Sequence, residues 1–62
     1  MTAGEKIRKL RGSTPRRVIA EKVGVSYSSY VKYERDERTP RDEVKKKLAK
    51  ALGVSVGSIF FK

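Results

Sequence analysis

The sequence predicts an all-α fold, a compact domain of five short helices, on three observations. Apolar residues recur at helical spacing, most regularly at Val44, Leu48, Ala51 and Leu52. Capping residues, prolines and glycines bracket each such stretch. The single alternating stretch, Val54-Ser55-Val56, has no second strand to pair with.

Each element follows in order. Thr2 and Glu5 form a T-x-x-E capping box, Ile7 and Leu10 supply the apolar stripe at i, i+3, and Gly12 supplies the stop, so the first helix covers about residues 3–11. Gly12-Ser13-Thr14 makes the connection. Thr14 then reads as an N-cap with Pro15 at the first helical position, where a missing N–H has no cost. Ile19, Ala20 and Val23 are the buried stripe of this second helix, about residues 15–23, and Gly24 ends it in the left-handed conformation. Ser26 caps a third helix that runs to about Arg35. Tyr30, Tyr33 and Glu34 share one of its faces, and Ser28, Lys32 and Arg35 share the opposite one. After the polar stretch Asp36 to Thr39, Thr39-Pro40-Arg41-Asp42 repeats the cap-then-proline start. The regular apolar stripe of the fourth helix follows, closed by Gly53. Ser55 begins a last short turn that brings Ile59 and Phe60 to the core.

The 62 residues leave room for one domain, spanning residues 1–62, with 16 Lys+Arg against 7 Asp+Glu and a net charge of +9. Such a balance points to a polyanion, nucleic acid first, over charge kept for solubility alone. With no cysteine and no histidine, disulfides, thiolate zinc sites and the usual general base are all absent. There is also no glycine-rich phosphate loop, so neither an enzyme, nor a metal, nor a cofactor, nor a small-molecule ligand is expected. No apolar run approaches the ~20 residues of a membrane span, and Met1 to Gly12 lacks the apolar stretch of a signal peptide. A cytoplasmic, nucleoid-associated chain is the expectation.

Helix two, the Gly24-Val25-Ser26 connection and helix three form a helix-turn-helix. Ala20 provides the small residue where the helices cross, Gly24 the positive φ of the turn, and Val25 a plug beneath it. The segments Ile7 to Arg11, Ala20 to Ser26, Tyr33-Glu34-Arg35 and Ala49 to Ser55, with Ile59-Phe60, make nearly the whole chain resemble the phage repressor and Cro type of helix-turn-helix protein, the xenobiotic-response-element family. The likeness is strongest to small regulators of phages and mobile elements, through Thr39-Pro40-Arg41-Asp42-Glu43 and the Phe60-Phe61 ending. It implies a five-helix repressor/Cro-like domain whose third helix enters the major groove of DNA. Asp36 stands where a glycine commonly follows helix three in the family, and aspartate adopts the left-handed conformation less readily.

The resemblance implies base contacts from Ser26, Tyr27, Ser28 and Lys32. Helical arithmetic independently turns Ser28, Lys32 and Arg35 away from the core and sets Tyr27 at the tip of the helix. Lys32 can reach a guanine O6/N7 pair or a phosphate, and Ser28 can bond any base edge. Tyr27 either covers a thymine methyl or packs over helix two. Val31 is either a methyl contact in the groove or a single exposed apolar residue. Arg16 lies in the first turn of helix two, where free N–H groups and the helix dipole favour an anion, and the family grips a phosphate at the matching position. Arg17 is assigned to Glu21 at i+4. Arg38, with Arg41 beside it, follows helix three where the family's loop approaches the DNA backbone. Glu34 sits on the apolar stripe and needs a partner; the resemblance supplies Arg11, as a structural ion pair. Lys45, Lys46, Lys47 and Lys50 read as a solvated face, paired through Asp42 to Lys46 and Glu43 to Lys47.

The function expected is a sequence-specific double-stranded DNA-binding transcriptional regulator, a phage or mobile-element repressor or Cro-like switch. One monomer makes too few contacts for specificity, so the expected partner is a two-fold symmetric operator bound by a weak homodimer. Val56, Ile59, Phe60 and Phe61 offer more apolar surface than one turn can bury, which makes the C-terminal segment the expected dimer contact. The competing reading is a protein-interaction module of the antitoxin or bridging-factor type, in which DNA contact is secondary. A basic amphipathic membrane peptide is disfavoured because the apolar stripes are needed for one mutual core.

Overall fold

Thr2 opens the first helix as its sequence requires. Its hydroxyl accepts the Glu5 N–H at 3.1 Å while the Glu5 carboxylate accepts the Thr2 N–H at 3.0 Å, a closed capping box. In a computed structural model that describes residues 1–61, five helices follow in order: α1 (Ala3–Arg11), α2 (Arg16–Val23), α3 (Tyr27–Glu34), α4 (Asp42–Leu52) and α5 (Val56–Phe60). No strand occurs among the described residues.

The helix ends share one chemistry. Behind α2 the Gly24 N–H returns to Glu21 O and the Val25 N–H to Ala20 O, with Gly24 at φ 82°. Behind α4 the Gly53 N–H returns to Lys50 O and the Val54 N–H to Ala49 O, with Gly53 at φ 74°. Both are Schellman endings, which satisfy two orphan carbonyls each through one left-handed residue. The same pattern closes α3, where the Asp36 N–H reaches Tyr33 O and the Glu37 N–H reaches Lys32 O. Here the left-handed residue is Asp36 itself, at φ 58°. It takes the place of a glycine because its carboxylate finds partners in α1.

Two helix starts differ from expectation. Pro15 is the N-cap of α2, at ψ 141°, with no side-chain cap, so Thr14 does not cap and the helix begins at Arg16. Likewise α4 begins at Asp42 with Arg41 as its uncapped N-cap. Pro40 is buried instead of opening the helix. Ser26 and Ser55 do cap, accepting the N–H of Ser29 at 3.2 Å and of Ser58 at 3.3 Å.

The core gathers Ile7 from α1, Ile19, Ala20 and Val23 from α2, Tyr30 and Tyr33 from α3, Leu48 and Ala49 from α4 and Ile59 from α5. Full burial of side chains such as Ile7 and Leu48 contributes about 1.5–3 kcal/mol each. Leu10 departs from the expected stripe: it is 41% exposed, and in the last turn of α1 it is Arg11 that turns inward, to Glu34. Ala49 is buried although it lies outside the stripe read from the sequence. It belongs to the core cluster, on the helix against which α2 packs. The lysine face of α4 is less paired than expected. Lys45 approaches Asp42 at 3.9 Å, but neither Asp42 to Lys46 nor Glu43 to Lys47 forms an ion pair among the described residues.

Candidate nucleic-acid interface

The turn between α2 and α3 fixes how the third helix is presented. Gly24 supplies the positive φ, Val25 packs partly buried against the core, and Ser26 turns the chain into α3 with its hydroxyl on the Ser29 N–H and on the Ser29 hydroxyl at 3.0 Å. From that start, helical periodicity divides α3. Tyr30, Tyr33 and Glu34 are buried, whereas Ser28, Lys32 and Arg35 are exposed on the other side. Tyr27, at the tip, is 50% exposed, and Val31 is half-buried beside the outer face.

Glu34 is the polar centre of the domain, 1% exposed and shared by three helices. Arg11 donates Nε to Oε2 at 2.6 Å and Nη2 to Oε1 at 3.3 Å, a forked contact. Its Nη1 donates to Thr14 O at 2.9 Å and so also closes the connection between α1 and α2. Arg16 donates Nε to Oε1 at 3.0 Å. Burial by itself pushes the Glu34 carboxyl up, but Arg11 foremost, then the Tyr30 hydroxyl and Arg16, outweigh it and hold the group below the usual carboxylate range. The Tyr30 hydroxyl faces the same carboxylate yet makes no hydrogen bond among the described residues. Burial first, and the carboxylate second, push the Tyr30 hydroxyl pKa upward.

Beside the phosphate contact that its sequence position predicts, Arg16 has a second role. Its Nε is committed to Glu34, while its side chain stays 44% exposed. Glu34, and then the neighbouring Tyr27 hydroxyl, raise its pKa above the ordinary arginine value. No acid lies in the first turn of α2 and no side chain caps it. The Val18 N–H turns back to Pro15 O at 3.1 Å, which leaves the Arg16 and Arg17 N–H groups beside a guanidinium that Glu34 has already oriented. Nothing local in the sequence marks the contact, because Arg16 and Glu34 are 18 residues apart.

Arg38 is exposed on the segment after α3. It lies back along that helix, with Nη1 3.5 Å from Ser29 Oγ. Arg35 pairs with Glu37 at 3.1 Å on the surface. Arg17 and Glu21, expected to pair, are both exposed and form no ion pair among the described residues. The contacts of Asp36 with Thr2 and Gly4 lie beyond what the sequence reading foresees, in which an aspartate in a glycine's place is the available signal.

The C-terminal segment splits. Ile59 is 1% exposed and belongs to the core, so it is withdrawn from the expected dimer contact. Phe60 is half-buried, with the Lys45 ammonium 5.1 Å from its ring centroid, and Val56 is half-buried against the core. Phe61 is 64% exposed. No helix among the described residues is long and apolar enough to cross a membrane. No group of three or more acidic residues among them could hold a metal ion.

Comparison with known proteins agrees with this geometry. Residues 5–59 match a family model described as helix-turn-helix. A crystal structure of the P22 c2 repressor protein in complex with a synthetic operator is similar, with a TM-score of 0.93 and 31% identity over 97% of this chain and 94% of that one. No curated protein matches the sequence.

Proposed function

Since this chain belongs to the Cro/C1-type helix-turn-helix family, we propose that it is a DNA-binding transcriptional repressor, of phage or mobile-element type, that inserts α3 into the major groove. One observation carries this reading most directly. The inner face of α3 is engaged in the core, while the side chains of Ser28 and Lys32 project from the outer face with no hydrogen bond or ion pair to any described residue. That division leaves polar side chains available for base edges on a helix whose position is already determined.

The geometry supports a division of labour among these residues. Lys32 bonds a guanine edge and Ser28 a neighbouring group, with Tyr27 set beside Arg16 at the groove edge, while the Ser26 hydroxyl, expected at a base, is spent on capping α3. Arg16 presents its unused guanidinium nitrogens together with the open first turn of α2 to one phosphate. Arg38 and Arg35 meet the backbone on the other side of α3, which fixes register without reading sequence. A two-fold operator with half-sites about 34 Å apart is bound by a homodimer joined through Val56, Phe60 and Phe61. The protein acts where the DNA lies, in the cytoplasm on the nucleoid.

Selection from a pool of random duplexes, followed by a salt titration on the recovered sequence, tests the reading. A shared half-palindrome is the expected result. Lys32→Ala should then relax discrimination at particular bases, whereas Arg16→Ala should weaken all sequences alike and lower the salt slope by about 1. Binding that ignores sequence and follows salt alone would leave only the phosphate contribution and sink the proposal.

A further inference from the structure

Asp36 joins two parts of the molecule that are far apart in sequence. Its Oδ2 accepts the Thr2 hydroxyl at 2.7 Å and its Oδ1 accepts the Gly4 N–H at 2.9 Å, so the segment leaving α3 is tied to the first turn of α1. The approach is so close that a Cβ on Gly4 would collide with Glu34 O and Asp36 Oδ2. On its other side the same segment is tied to α3, through the Asp36 and Glu37 N–H groups on Tyr33 O and Lys32 O at 3.3 and 2.9 Å. Two residues later the chain delivers Arg38, which lies along α3 near Ser29.

A glycine would adopt the left-handed conformation here without strain. Aspartate does so less readily, and in exchange it adds two long-range hydrogen bonds that glycine lacks. Both bonds also turn carboxylate lone pairs toward α1. An unpaired carboxylate beside a phosphate-facing arginine would repel the DNA backbone, and this one is satisfied within the fold.

We propose that Asp36 is a positioning residue for DNA binding: by clamping the end of α3 to the first turn of α1, it fixes the aim of Arg38 at a backbone phosphate. The proposal rests on the reading of Arg38 as a phosphate contact. The clamp sets affinity and register, and it leaves base preference to the outer face of α3.

Asp36→Gly keeps the left-handed conformation and removes the carboxylate, and Asp36→Asn keeps acceptor and donor atoms for Gly4 and Thr2. Both variants, with the parent and Arg38→Ala, are titrated with salt on the duplex recovered by selection and on a scrambled duplex of equal length. Circular dichroism establishes that each is folded at the titration temperature. Asp36→Gly is expected to lose affinity by the same factor on both duplexes and to show a salt slope shallower by about 1, as Arg38→Ala does. Asp36→Asn is expected to recover the parent's slope. A folded Asp36→Gly protein with the parent's slope and affinity would make the clamp purely structural and overturn the proposal. An Arg38→Ala protein with the parent's slope would also overturn it, by removing the contact that Asp36 is said to aim. A parent that prefers neither duplex is a separate failure, of the functional reading itself.

Discussion

Arg11 Nε lies 2.6 Å from Glu34 Oε2, and this contact ties the end of the first helix to the end of the third beneath an otherwise apolar core. Arg16 adds a second guanidinium to the same carboxylate from α2. Removing the carboxylate's charge therefore strands two arginines at once. Glu34→Gln should lower the unfolding free energy by about 3–5 kcal/mol, the usual penalty for breaking a buried pair. Urea denaturation checks this, and a midpoint equal to the parent's would contradict it.

Two glycines separate a packing requirement from mere helix weakness. Gly4→Ala drives a methyl group into Glu34 O, a backbone atom that cannot move away, and should destabilise by about 1–3 kcal/mol. Gly57, inside α5, has only Phe61 Cδ2 at 3.7 Å and Ser55 Oγ at 3.9 Å near a built Cβ. Gly57→Ala should be neutral or stabilising by up to about 1 kcal/mol, since alanine has the better helix propensity. In thermal melts the midpoint of Gly4→Ala should fall, and that of Gly57→Ala should stay level or rise.

Acid should unfold the protein through the same bonds. Hydrogen bonds hold the carboxyls of Glu34 and Asp36 below their ordinary values, so both bind protons less readily when folded than when unfolded. Groups depressed in this way stabilise the fold fully above their unfolded pKa values, about 4.3 and 3.9. That contribution disappears as pH falls through the lower folded values. Melting temperature should be flat from pH 7 to about 5 and drop below about 4, and Asp36→Asn should drop less steeply. A melting temperature that rises on acidification would refute the assignment.

The C-terminal segment offers a test of assembly. Ile59→Ala should cost about 2–5 kcal/mol of monomer stability, as other buried isoleucines do. Phe61→Ala, at an exposed position, should change monomer stability by less than about 0.5 kcal/mol. It should nevertheless weaken self-association in sedimentation and on operator DNA. Equal association by parent and Phe61→Ala would remove Phe61 from the dimer contact.

Local grammar made most of the fold legible. Thr2 with Glu5, Gly24, Ser26, Gly53 and Ser55 each act within a few residues of where they stand, and each does in the structure what its position implies. The prolines misled because Pro15 and Pro40 are compatible both with the first helical turn and with the extended residues before it. Tertiary packing chose the latter. The apolar stripe failed at Leu10 because the inward line of α1 runs from Ile7 to Arg11, whose inward group is polar and meets Glu34. At the site, the outer face of α3 was legible from spacing alone. The second partner of Glu34 and the Thr2-Gly4-Asp36 clamp join residues 18 to 34 positions apart, and no local pattern encodes such a meeting.

The two faces of α3 do unrelated jobs with unrelated side chains. Tyr30, Tyr33 and Glu34 hold the domain together, and the side chains of Ser28 and Lys32 are exposed and stand outside the core. Substitution at the latter pair should leave folding within about 0.5 kcal/mol of the parent. The vocabulary of this helix can therefore drift freely over generations, or be rewritten in a few steps at the bench, while the scaffold that displays it stays as it is.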